Sequence, residues 1–156
     1  MRNSDVIQSI RFMLDVNDHE ITKMLTLADY QPSRDEVAQI FENDADQDAS
    51  HELMAHFLDG LIYYKRGKSD KHPPQPIEIP VTNNIILKKL RVAFKLREGD
   101  ILKILKSAGF SISKHELSAL FRRKEHKNYR ECGDQLLRYF LKGLTYKFRP
   151  EAKEGQ

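Results

Sequence analysis

The sequence predicts an all-α protein built from two tandem four-helix modules that pack together with pseudo-twofold symmetry. Three observations predict it. The chain repeats itself, its apolar residues recur at helical spacing, and one helix-start signature occurs twice. An offset of 80 aligns Asn3 with Asn83, Arg11 with Arg91, Ile21 with Ile101, Leu25 with Leu105, Ala28 with Ala108 and Phe41 with Phe121. Three extra residues then enter the second copy around 124–130, and an offset of 83 aligns Leu53 with Leu136, Phe57 with Phe140, Gly60 with Gly143 and Arg66 with Arg149. Collinear self-similarity of this length is the mark of duplication.

Each copy reads as four helices. In the first helix Val6, Ile10 and Met13 form one stripe, and Ile86, Leu90 and Ala93 form its counterpart. Steps of three and four belong to a helix, whereas a half-buried strand alternates. Asn3 and Asn83 precede these stripes and are expected to cap them, their side-chain carbonyls accepting orphan amide hydrogens. The second helix carries Ile21, Met24, Leu25 and Ala28, matched by Ile101, Ile104, Leu105 and Ala108. Gly109 then supplies a left-handed stop. The third helix opens on Ser33-Arg34-Asp35-Glu36 and again on Ser113-Lys114-His115-Glu116. Both are capping boxes, in which serine and glutamate satisfy each other's backbone donors. The fourth helix, about 50–66 and 130–149, carries Leu53, Phe57 and Leu61, then Leu136, Phe140 and Leu144. Gly60 and Gly143 interrupt it at matching places. A glycine inside a helix costs about 1 kcal/mol relative to alanine, so its repetition points to a second helix crossing close by. A functional kink is the alternative.

The domain expectation is a first repeat at 1–66, a linker at 67–80, a second repeat at 81–149 and a loose tail at 150–156. Pro73, Pro74, Pro76 and Pro80 make the linker an extended connector. A module of this size has a limited core, which favours packing of the copies on each other over two beads on a proline string.

Hydrophobic residues make up 40% of the chain and charged residues 31%, a globular profile. No apolar run approaches the ~18 residues that would span a bilayer. The start lacks the apolar stretch of a secretory signal, and Cys132 has no disulfide partner in the chain. A cytoplasmic protein is the expectation. Charge is unevenly distributed. Residues 1–80 carry 8 Lys/Arg and 15 Asp/Glu, a net −7, and residues 81–156 carry 18 and 8, a net +10. Opposed halves attract each other, within a molecule or between molecules, and the basic half alternatively faces a polyanion.

Two strings carry a family likeness: 83–94, Asn-Asn-Ile-Ile-Leu-Lys-Lys-Leu-Arg-Val-Ala-Phe, and 126–144, which runs from His-Lys-Asn-Tyr-Arg-Glu-Cys-Gly-Asp to Leu-Lys-Gly-Leu. With 60–67, Gly-Leu-Ile-Tyr-Tyr-Lys-Arg-Gly, they resemble the YehS-like family of small bacterial proteins with a duplicated domain of unknown function. The likeness covers about 1–149. It implies a bacterial cytoplasmic protein with this tandem arrangement, and it implies no catalytic or binding residues.

Several patterns invite chemistry. Cys132 lies near the expected start of the last helix with Arg130 and His126 close in sequence, a setting that lowers a thiol pKa. No triad pattern surrounds it, and a packed, inert thiol is the plainer reading. His51 and His56 are five apart, which separates them by about 140° on a helix, so they do not share a metal as histidines four apart do. Asp44, Asp46 and Asp48 alternate like the opening of a calcium loop, but Ala49 and Ala55 occupy the positions that need glycine and glutamate. No metal and no cofactor is expected. Arg11 and Arg91 recur among apolar neighbours, and an ion pair with the repeated glutamate of the third helix is expected for them, with an anion ligand as the second reading.

The densest basic segment joins the third and fourth helices of the second copy: Arg122, Arg123, Lys124, Lys127, Tyr129 and Arg130. Lys88, Lys89 and Arg91 form another cluster. Cations with an interleaved tyrosine suit phosphate contact and base stacking, and these nine residues are the candidate nucleic-acid or anion site. An ordinary charged surface, or a face that docks the acidic copy, is the competing reading. The functional expectation is a non-enzymatic binding or regulatory protein acting through protein contacts, self-association included. Nucleic-acid binding through the second copy is the first alternative, and an enzyme using Cys132 is the second. No glycine-rich phosphate loop or paired carboxylate site argues for catalysis.

Overall fold

A computed structural model describes residues 1–42, 47–68 and 76–154. Among the described residues there are nine helices and no strand. The first repeat holds α1 (Asn3–Leu14), α2 (Asp18–Leu27), α3 (Arg34–Phe41) and α4 (His51–Arg66). The second holds α5 (Asn83–Ala93), α6 (Glu98–Ser107), α7 (Lys114–Leu120) and α8 (Asp134–Phe148), followed by one turn, α9 (Glu151–Glu154). Asp44, Asp46, Pro73 and Pro74 lie outside the described residues.

Start and stop signals act locally. Ser33 and Ser113 close the capping boxes, with Glu36 N–H to Ser33 Oγ at 3.2 Å and Glu116 N–H to Ser113 Oγ at 3.1 Å. Gly109 takes φ +92°, and Asp29, its counterpart, takes φ +59° to end α2 in the same left-handed way. Arg149 to Glu151, at 3.1 Å, helps hold the turn of α9 where the sequence predicts a loose end.

Asn3 and Asn83 do not cap. They are the first helical residues, behind Arg2 and Thr82. Their side-chain amides donate instead to the Ala49 and Cys132 carbonyls, each at 3.0 Å. The capping acceptors are the Asp48 carboxylate, for the Asn3 and Ser4 amides at 3.0 and 2.8 Å, and the Thr82 hydroxyl, for Ile85 N–H at 3.2 Å. α8 also starts later than its apolar pattern predicts. Asn84 donates to Arg130 O at 2.9 Å and accepts from Cys132 N–H at 2.8 Å, so the backbone at 130–132 is held by α5 and not by a helix ladder.

The fourth helices are the centre of the fold. α4 packs on α2 of its own repeat and on α5 of the other, and α8 packs on α6 and on α1. Each first helix therefore lies against the fourth helix of the opposite repeat. The core runs through both repeats as one cluster, with Phe57 and Phe140 fully buried. This is the pseudo-twofold arrangement, not two separate beads.

Polar contacts across the seam obey the same symmetry. Arg66 donates to Val92 O at 3.1 Å, and Arg149, its counterpart, to Phe12 O at 3.0 Å. Val81 N–H reaches His51 Nδ1 at 3.1 Å, and Met1 nitrogen reaches Asp134 at 2.6 Å. The matching ring pairs are Tyr30 on His56 and Phe110 on Tyr139, with centroids 4.9 and 5.1 Å apart.

The repeated glycines mark helix crossings. A Cβ on Gly60 would sit 1.9 Å from the Met24 carbonyl oxygen, and one on Gly143 would sit 2.1 Å from that of Ile104. Both obstacles are backbone, so α2 and α6 would have to move. Gly60→Ala and Gly143→Ala are each expected to cost about 3 kcal/mol, the upper range for overpacking. That lowers the melting temperature by roughly 6–12 °C for a chain of this size. Circular-dichroism melts that overlay the parent would refute the crossings.

Asp48 supplies a pH prediction. Burial raises its pKa, but the amides of Ser4, Asn3 and Ala49 and the Ser4 hydroxyl outweigh burial and lower it overall. A folded pKa below the unfolded one gives stability that is present above the unfolded value and lost as pH falls through the folded one. Asp48→Asn should lose about 1 kcal/mol near pH 7, the worth of a cap. The deficit should close in acid. A deficit that stays constant across acid denaturant titrations contradicts this.

Candidate functional site

The seam between α4 and α5 opens into a cleft of about 940 Å³. α4 contributes Ala55, Leu58, Asp59 and Ile62, and α5 contributes Ile85, Lys88, Lys89 and Val92. The α7–α8 connection adds Arg122, Arg123, Lys124 and Tyr129. The segment 76–82 closes one side, with Ile77 half-buried, Val81 buried and Ile79 60% exposed. The floor is apolar and the rim charged, the ordinary make-up of a recognition groove.

Six of the nine candidate residues line this cleft: Lys88, Lys89, Arg122, Arg123, Lys124 and Tyr129. Two basic clusters some thirty residues apart in sequence thus share one cleft. Lys89 pairs with Asp59 across the seam at 2.7 Å. Lys88, Arg123 and Lys124 are exposed and form no ion pair among the described residues. Arg122 approaches His126 at 3.4 Å, and its Nε is shielded from solvent without a hydrogen-bond partner.

The other three residues lie outside the lining. Lys127 is exposed on the same connection. Arg130 pairs with Glu116 at 2.9 Å. Arg91 lies over the Phe121 ring at 4.6 Å and donates to Leu96 O at 3.3 Å. Arg11 mirrors it over Phe41 at 5.6 Å and pairs with Asp18 at 2.9 Å. The expected pairing of these arginines with Glu36 and Glu116 is therefore corrected. The capping boxes hold one oxygen of each glutamate, and the other accepts from Tyr30 in one repeat and Arg130 in the other.

Sequence reasoning missed the acidic members of the cleft. Asp59, Glu78, Glu125 and Glu131 stand against Lys88, Lys89, Arg122, Arg123 and Lys124, leaving a net +1. One signal was available: Asp59 aligns with Lys142, a reversal of charge between equivalent positions.

Cys132 is 6% exposed, and burial pushes its thiol up to about 11 against the opposing pull of Arg130. It precedes α8 and lies outside its first turn. Among the described residues no cluster of three or more His, Cys, Asp or Glu could hold a metal ion. His56 stacks on Tyr30, and His51 receives Val81 N–H, so the two histidines serve packing and the seam. No described helix is long and apolar enough to cross a membrane.

A protein family of unknown function, DUF1456, matches residues 3–67 and again 83–149. The uncharacterized protein YehS of Escherichia coli (strain K12) is 39% identical over 158 residues, covering 99% of this chain and 100% of that protein. No solved structure matches the chain.

A buried thiol of such high pKa has almost no thiolate near neutral pH. Labelling of Cys132 by a thiol-specific reagent at pH 7.5 (about one unit below the free-thiol value) should be slow in the native protein and fast in urea. Rapid native labelling would overturn this account of the site.

Proposed function

Since the chain belongs to the DUF1456 family, whose function is unknown, no inherited activity assigns the cleft a ligand, and we propose a non-enzymatic binding module that acts through protein contacts at the α4–α5 cleft. The convergence of Lys88 with Arg122, Arg123 and Lys124 around an apolar floor carries this reading. A partner segment with apolar anchors fills the floor, and its carboxylates meet the rim. Exposed Val92 and Ile79 on the cleft add apolar contact area. Rim charges of this kind contribute association rate and specificity, and buried apolar anchors contribute affinity.

The same lining argues against a continuous polyanion as the first choice. Glu78, Glu125 and Glu131 interrupt the basic rim, which suits separated carboxylates between apolar anchors better than an unbroken phosphate backbone. A nucleophilic role for Cys132 loses its support through the burial and protonation of the thiol.

Fluorescence anisotropy with an acidic peptide of alternating Glu and Ile, and with single-stranded and duplex nucleic acid, separates the readings. Peptide binding should weaken about tenfold in the double variant Arg123→Glu, Lys124→Glu, the cost of two rim pairs turned repulsive. It should persist at moderate salt. Tight nucleic-acid binding with a steep salt slope and no peptide binding would reverse the proposal.

A further inference from the structure

The connection between α7 and α8 is tied at its base and along its length. Arg130 N–H donates to Ala119 O at 3.1 Å, and the Asn84 side chain holds Arg130 O and Cys132 N–H. Between these ties the chain makes two successive turns, His126 N–H to Arg123 O and Tyr129 N–H to His126 O, each at 2.9 Å. The side chains of Arg122 and His126 therefore stand on a held backbone.

The His126 ring is oriented by a third bond. Asn128 N–H donates to Nδ1 at 3.0 Å. A lone pair that accepts cannot also carry a proton, so the ring proton sits on Nε2. Arg122 Nη1 lies 3.4 Å from that nitrogen, and a guanidinium only donates. The contact sets donor against donor with no acceptor between them. Moving the proton to Nδ1 would only transfer the conflict to the Asn128 amide. Arg122 Nε is shielded from solvent without a partner, and among the described residues the side chain reaches no acceptor beyond His126.

An oxygen acceptor resolves the conflict. One anionic oxygen about 2.8 Å from each nitrogen, the usual charge-assisted distance, completes a triangle on the 3.4 Å edge. Charge selects the anion. Residues 122–129 carry Arg122, Arg123, Lys124 and Lys127 against Glu125 alone, a net +3. Arg123, Lys124 and Lys127 are exposed and form no ion pair among the described residues. A carboxylate brings one charge and two oxygens, whereas a phosphate monoester brings about two charges and three oxygens. Glu125 and Glu131 interrupt the basic run, which suits one phosphate and not a chain of them. The first repeat has Glu42 in the place of Arg122, so the arrangement belongs to the second repeat alone.

We propose that Arg122 and His126 form a binding site for a phosphate monoester at the edge of the α4–α5 cleft. Arg122 Nη1 and His126 Nε2–H share one phosphate oxygen, and Arg123 and Lys124 offset the remaining charge. A side chain of a partner segment and a free small molecule are the two carriers of this group, and the site reads the chemistry they share. It does not rest on the protein-contact reading of the cleft.

The ¹⁵N-labelled full chain is titrated with N-acetyl-phosphoserine amide at about pH 7.5, well above the second phosphate pKa of about 6. Long-range ¹H–¹⁵N spectra should place the His126 ring proton on Nε2 and show that nitrogen shifting with phosphate. Arg122→Gln should weaken binding about tenfold, the range for a hydrogen bond to a charged group. Lys127→Gln removes the same charge from the same connection and should cost about twofold or less. Tighter binding of a phosphoserine peptide flanked by isoleucines assigns the phosphate to a partner segment, and equal binding assigns it to a small molecule. A ring proton on Nδ1, no shift of His126 at millimolar probe, or equal losses in the two variants would overturn the site. The probe lacks apolar anchors, so its binding and that of the Glu–Ile peptide can fail independently.

Discussion

The fold depends on two backbone crossings. At Gly60 and Gly143 the carbonyls of Met24 and Ile104 occupy space that any side chain would need. This close approach lets α2 and α6 lie against the fourth helices on one face, leaving another face of each fourth helix free. That face receives the first helix of the opposite repeat. A glycine costs roughly 1 kcal/mol of helix propensity, and the packing of a full helix offsets it.

The seam follows from this exchange. Neither repeat fully covers its own fourth helix, so each lends α1 or α5 to the other and one core forms from both. Arg66 and Arg149 then bind carbonyls in the last turn of the opposite first helix, where a cation also complements the helix dipole. The seam is therefore specified twice over, by apolar burial along its length and by paired polar contacts at its ends.

The two repeats depart from that symmetry in their charges. The frame makes two equivalent grooves, between α4 and α5 and between α1 and α8, and their linings differ. Asp59 neutralises Lys89 in one, whereas Lys142 and Ser9 leave the other basic. The three extra residues of the second copy fall in the α7–α8 connection, which carries Arg122, Arg123 and Lys124 to the rim of the larger cleft. The charge imbalance between halves thus lies mainly at surfaces, with Lys89–Asp59 and Met1 nitrogen–Asp134 joining the two repeats.

The sequence by itself determined the helices, the duplication and the role of the repeated glycines. These are carried by local signals: stripes of period 3.6, serine–glutamate caps and a missing Cβ at matching places. Part of the candidate cleft was legible too, since six of its basic and tyrosine residues stood in two clusters of the sequence. Tertiary structure alone decided that Lys88 and Arg123 share a cleft, that Arg91 stacks on Phe121 and that Cys132 is buried. It also gave Asn3 and Asn83 carbonyl partners instead of cap positions. The physical reason is range. Helix signals act over a few residues along the chain, whereas partner choice across the seam depends on which helix lies opposite, and residues far apart in sequence settle that.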